Sequence, residues 1–168
     1  MGSGSGKQRR VRVQVKPQGA ATSPAAAQLF AVDAWRRFVD GSGVGDQNIF
    51  DYYLGAGNRP TDKDEPNFSV ERYRHLLQEF FWDACSIGAI VLPDGVTPDD
   101  VIIGVQSVSF RTWEHTAFVD VMRGGVYCGR KQMRVFLPRC KMSDFVCLER
   151  LAGQLSFAVA VAESALVY

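Results

Sequence analysis

Two histidines, four cysteines and a few clustered carboxylates are the residues of this chain whose types could do chemistry. A cysteine–histidine nucleophile needs the thiol within hydrogen-bond reach of an imidazole that a third group orients. His75 falls near the polar side of an amphipathic stretch, and the predicted strand pairing sets His115 opposite Met133, at the far end of a hairpin from Cys128. That separation argues against nucleophilic catalysis. Asp99 and Asp100 are adjacent, so on extended backbone they point to opposite faces and cannot share a substrate. Asp62, Asp64 and Glu65 lack the third acid, the glycine and the distal glutamate of a calcium loop. Cys85, Cys128, Cys140 and Cys147 match no zinc spacing, so no metal ligand set is expected, and the thiols read as reduced and mostly buried. Gly41-Ser42-Gly43-Val44-Gly45 has no Lys-Ser/Thr and follows a helix, which makes it a helix stop and not a phosphate cradle. No cofactor motif is found, and an enzyme is the less favoured class.

Binding chemistry is better represented. Lys7, Arg9, Arg10, Arg12 and Lys16 form a basic arm with no acid among them. Each phosphate such an arm neutralises releases counterions, which gives affinity for a nucleic-acid backbone without sequence preference. The same segment alternates Arg10, Arg12 and Gln14 with Val11, Val13 and Val15, so a short strand over 9–15 is the structural alternative. A second candidate is the polar face of the predicted hairpin, where Phe118 and Phe136 stand among Thr116, Arg130, Gln132 and Arg134. Arginines and aromatics on an open sheet can stack bases and neutralise phosphates, with RNA ahead of DNA as the partner.

The elements that must position these residues are legible from periodicity. Three consecutive strands are expected: Val101–Phe110, His115–Met122 and Val126–Leu137. A three-residue loop, Arg123-Gly124-Gly125, places Met122 opposite Val126; Ala117, Val119 and Val121 then share a face with Tyr127, Met133, Val135 and Leu137. A one-residue slip would mix arginines with valines on both faces. A further short strand over 87–92 is expected beside them. Ser23-Pro24 starts a helix that runs to about Val39, Asn48–Leu54 reads as one or two helical turns, and Ser69 caps a helix with Val70, Tyr73, Leu77, Phe80, Phe81 and Ala84 on one stripe. The long acidic loop Gly55–Asn67 between them is a candidate partner-binding element. The fold class is α+β: a three-stranded antiparallel sheet packed against three main helices.

The last of those helices, Ser143–Val167, carries no charge between Leu155 and Ala162. A helix apolar all round is normally covered on more than one side. Its apolar run is bracketed by Gln154 and Glu163 and falls short of the roughly 20 residues a bilayer requires, so no membrane span is expected. A homo-oligomer in which Phe157, Val161, Leu166 and Tyr168 contribute to the contact is expected instead. The 168 residues read as residues 1–22, a glycine–serine linker (Gly2–Gly6) and the basic arm, followed by one globular domain over 23–168. A net charge of +1 conceals seven bases against Glu114 and Asp120 within 111–141, and seven acids against Arg59 and Lys63 within 40–71. No secretory signal is seen, which points to the cytoplasm or another reducing compartment.

From Ser69 to Val167 the order helix, three strands, helix is that of the double-stranded-RNA-binding domain. That family enters its last helix through Ser-Lys-Lys, whereas Pro138-Arg139-Cys140-Lys141-Met142-Ser143 intervenes here and the helix is apolar. A basic arm, a mixed body and an apolar end is similar in layout to small viral coat proteins and nucleoproteins. The expected function is a non-enzymatic, self-associating structural protein that binds nucleic acid. The alternative is a cytosolic ligand-binding module or small enzyme with a pocket between sheet and amphipathic helices.

Overall fold

The computed structural model describes residues 24–55, 70–109 and 111–165, with side chains from residue 31 onward. In chain order the elements are α1 (Pro24–Ser42), α2 (Ile49–Leu54), α3 (Val70–Ser86), β1 (Val101–Ser107), β2 (Glu114–Arg123), β3 (Val126–Phe136) and α4 (Phe145–Glu163), with a short 3-10 turn, Pro98–Asp100, leading into β1. The strands form one antiparallel sheet in the order β1-β2-β3. The α+β class and the apolar terminal helix are as the sequence predicts; residues 87–92 are turns and irregular chain, not a strand. The proposed strand over 9–15, the basic arm and the acidic loop lie outside the described residues.

Alternation along the strands decides which face is covered. Val101 and Ile103 of β1, Ala117, Val119 and Val121 of β2, and Val135 of β3 are buried beneath α3 and α4. Tyr73, Leu76, Leu77, Phe80 and Phe81 come up from α3, and Leu148, Leu151, Leu155 and Val159 from α4. Trp35 of α1 stacks on Phe80 at 4.8 Å between centroids. Such a pair is worth about 1 kcal/mol beyond the area it buries. The short α2 joins this core through the Tyr53 hydroxyl, which donates to the buried Asp83 carboxylate at 3.0 Å.

The hairpin reaches the expected faces by a different route. Arg123 pairs with Val126, so the loop is the two-residue Gly124-Gly125, and both glycines take positive φ (58° and 83°) as the mirror-image turn requires. Alone, that turn would set the wrong parity. An irregularity follows at once: Met122 pairs with Tyr127, but Val121 pairs with Gly129, leaving Cys128 as a bulge. The extra residue restores odd-with-odd pairing, so Ala117 faces Met133 and His115 faces Val135, not Met133. Tyr127 precedes the bulge and is thereby moved off the apolar face; it is exposed, and its hydroxyl donates to Asp120 Oδ1 at 3.3 Å.

At each sheet edge a glutamine side chain occupies one backbone donor and one backbone acceptor. On β1, the Ile103 N–H donates to Gln78 Oε1 at 3.1 Å and Gln78 Nε2 donates to the Val101 carbonyl at 3.3 Å. On β3, the Phe136 N–H donates to Gln154 Oε1 and Gln154 Nε2 donates to the Arg134 carbonyl, both at 3.4 Å. One amide from α3 and one from α4 thus stand in for a further strand where an edge would otherwise offer free backbone groups.

Helix α4 begins at Phe145, two residues after the expected start at Ser143. Asp144 is the N-cap, its Oδ1 accepting the Cys147 N–H at 3.0 Å. At the other end Glu163 is ion-paired with Arg123 of the hairpin. By length and composition α4 passes as a membrane-crossing helix, contrary to the expectation from its apolar run. In the fold it lies against the sheet as a core helix.

Candidate functional site

The face of the sheet turned away from the helices is open. Its centre is Phe118, whose ring lies across Gly104 of β1: a Cβ at that glycine would come within 2.1 Å of the ring. The Arg130 guanidinium sits over the same ring, 4.0 Å from its centroid. Arg130 also holds Asp120 through two hydrogen bonds of 2.8 Å, from Nε and Nη2. These bonds hold the Asp120 carboxyl below the usual range for its type. Beside them Gln132 Nε2 donates to Gln106 Oε1 at 2.6 Å, spanning β3 to β1.

Of the predicted sheet-face residues, the fold therefore brings Phe118 and Arg130 into one stack and satisfies the arginine internally. Phe136 is half-buried with the Arg150 guanidinium of α4 over it at 5.4 Å, and Arg134 is exposed with no ion pair among the described residues. Lys7, Arg9, Arg10, Arg12 and Lys16 lie outside the described residues. A base stacking on Phe118 would have to displace the Arg130 guanidinium or stack on it.

The outer face of α4 is a second surface that the other described residues leave exposed. Val146 is 66% exposed and Phe157 64%, on a predominantly apolar helix. Gly153 and Ala160 lie between and beyond them on the same side, both exposed. Phe157 borders an open groove of about 640 Å³ in which Ala31, Ala89, Val146 and Gly153 stand beside the polar Glu149 and Arg150. Val161 is half-buried, while Leu166 and Tyr168 lie outside the described residues.

His115 is built into the core. It is buried on the covered face, 4.1 Å ring to ring from Tyr73, and its Nδ1 accepts the Ser109 N–H at 3.2 Å. Burial, partly opposed by a backbone hydrogen bond involving Leu137, pulls its pKa down to about 4. A histidine depressed in the folded state supports stability fully above its unfolded value of about 6.5 and loses that support as pH falls toward the folded value. Unfolding by urea at pH 7 and pH 5 should show the wild type losing about 2 kcal/mol more than His115→Leu over this interval. Equal losses would place the ring in contact with solvent.

One cluster is not foreshadowed by any spacing in the sequence. Cys140, in the connection from β3, and Cys147, in the first turn of α4, are both buried with their sulfurs 2.9 Å apart, and the Asp144 carboxylate lies within 4.8 Å of both. Six intervening residues fit no metal spacing rule, and only the path of the connection brings the two thiols together. Both cysteines are free, so the pair stands as a dithiol.

No protein-family model, curated protein or solved structure matches the chain.

Proposed function

We propose that this chain is a self-associating structural protein that holds nucleic acid, coat-protein- or nucleoprotein-like, working in the cytoplasm or another reducing compartment. One observation carries the reading: α4 leaves Val146, Gly153, Phe157 and Ala160 uncovered on an otherwise apolar helix. Gly153 sharpens it. A glycine inside a helix costs about 1 kcal/mol relative to alanine, and a Cβ added here would meet nothing within 4 Å. Nothing among the described residues requires a glycine here, whereas close approach of a second backbone would. Pairing through the sheet is disfavoured where Gln78 and Gln154 already occupy the strand edges. The occupant that fits is a second copy of α4, antiparallel about Gly153, each Phe157 seated on the other copy's groove in a self-complementary contact.

Nucleic acid is assigned to the basic arm and, secondarily, to Arg134 at the rim of the sheet face, with RNA preferred for its accessible bases. The test is sedimentation of the full chain at micromolar concentration with absorbance read for both protein and nucleic acid. A defined oligomer that carries nucleic acid is expected; a clean monomer would refute the proposal. Removing residues 7–16 should flatten the salt dependence of binding by close to one unit of log–log slope for every phosphate the arm neutralises. An unchanged slope would take the arm out of the interface.

A further inference from the structure

We propose that Cys140 and Cys147 form a reversible thiol-oxidation site, closed to an intramolecular disulfide by exchange with a small disulfide such as oxidised glutathione. The geometry carries it. The two sulfurs are 2.9 Å apart and already directed at one another. A bond requires an approach of only about a further 0.9 Å, since bonded sulfurs lie at about 2.0 Å. Both backbone segments are held at this spacing. The Ile49 N–H donates to the Cys140 carbonyl at 2.8 Å, the Met142 N–H to Gln47 at 2.8 Å and the Ser143 N–H to Gly45 at 3.1 Å, while Asp144 caps the helix that carries Cys147.

The two thiols are not equivalent. Cys147 sits in the first turn of α4, where helix N-terminal N–H groups favour a thiolate. The hydrogen bond from Cys140 holds the Cys147 thiol below its ordinary range, with Arg150 adding to the effect against burial and Asp144; the same bond and burial push Cys140 above it. Cys147 is therefore the attacking sulfur and Cys140 the resolving one. In the first step the Cys147 thiolate attacks one sulfur of the small disulfide, forming a mixed disulfide and releasing one small thiolate. In the second, Cys140 gives its proton to solvent and attacks the Cys147 sulfur, expelling the second thiolate. Two protein thiols are oxidised and one small disulfide is reduced to two thiols.

Closure joins the connection that is stitched to the α1–α2 loop covalently to the first turn of α4. Of the remaining cysteines, Cys85 is half-buried with its thiol pushed up to about 12 by burial, and Cys128 is half-buried at the hairpin bulge, so the variant lacking both isolates the Cys140–Cys147 pair. The inference does not depend on self-association.

The test uses the full reduced chain in glutathione redox buffers, followed by alkylation of free thiols, intact mass and peptide mapping. Wild type and the Cys85→Ser, Cys128→Ser double variant should each lose two hydrogens, mapped to Cys140 and Cys147. Cys140→Ser should stop at a stable glutathione adduct on Cys147, and Cys147→Ser should form neither product. Full alkylation of all four thiols in oxidising buffer would overturn the site, as would a disulfide mapped elsewhere. A stoichiometric metal ion retained by the pair and blocking exchange would equally overturn it.

Discussion

Gly129→Ala is expected to destabilise the fold by about 2–3 kcal/mol, the cost of forcing one methyl group into a closed contact. Gly129 is the residue just after the β3 bulge, and the end of α4 lies directly on it. A Cβ built there comes within 2.5 Å of the Ala162 carbonyl oxygen and 2.6 Å of the Ala165 Cβ. The first of those atoms is helix backbone, which cannot swing aside as a long side chain would. Helix α4 would have to lift from the sheet, straining the Arg123–Glu163 ion pair that fastens the same end. The matched control is Gly41→Ala near the end of α1, where nothing lies within 4 Å of the added carbon. There the same substitution should be neutral or stabilising by up to about 1 kcal/mol. Urea denaturation of both variants decides the point; equal effects would mean that α4 does not sit on β3 at this glycine.

The same region separates what periodicity reveals from what only packing decides. Hydrophobic alternation assigns Ala117, Val119, Val121, Val135 and Leu137 to one covered face, and all five are buried. It does not identify the turn that delivers this parity, because a three-residue loop and a two-residue loop followed by a bulge impose the same alternation from Val121 onward. Val126 and Tyr127, between turn and bulge, are the residues whose faces differ between the two, and the bulge turns Tyr127 outward, against the sequence expectation. The glutamine amides on the sheet edges and the Cys140–Cys147 pair are contacts set by how separate segments pack, with separations of 18 to 25 residues for the amides, and no local pattern announces them. The apolar composition of α4 is plain in the sequence, but which side faces outward follows only from the packing of Leu148, Leu151, Leu155 and Val159 on the sheet.

At that outward side, the proposed self-association through α4 predicts the largest effect. Phe157→Glu should weaken association at least thirtyfold, the equivalent of about 2 kcal/mol at a central aromatic contact. Because Phe157 is already 64% exposed, the change should leave the stability of the isolated domain within about 0.5 kcal/mol. A loss of oligomer with an intact fold is therefore expected, and a fold that collapses would show that Phe157 belongs to the core. Gly153→Leu separates the two effects further, because they have opposite signs. Leucine is the better helix former by about 0.8 kcal/mol, and its Cβ would meet nothing within 4 Å, so unfolding measured at a concentration where wild type is dissociated should shift toward greater stability. The same side chain holds two antiparallel helices apart, so sedimentation should show weaker association. If Gly153→Leu stabilises the domain and leaves the oligomer untouched, the helices do not meet at this glycine. The interface would then have to be sought away from the centre of α4.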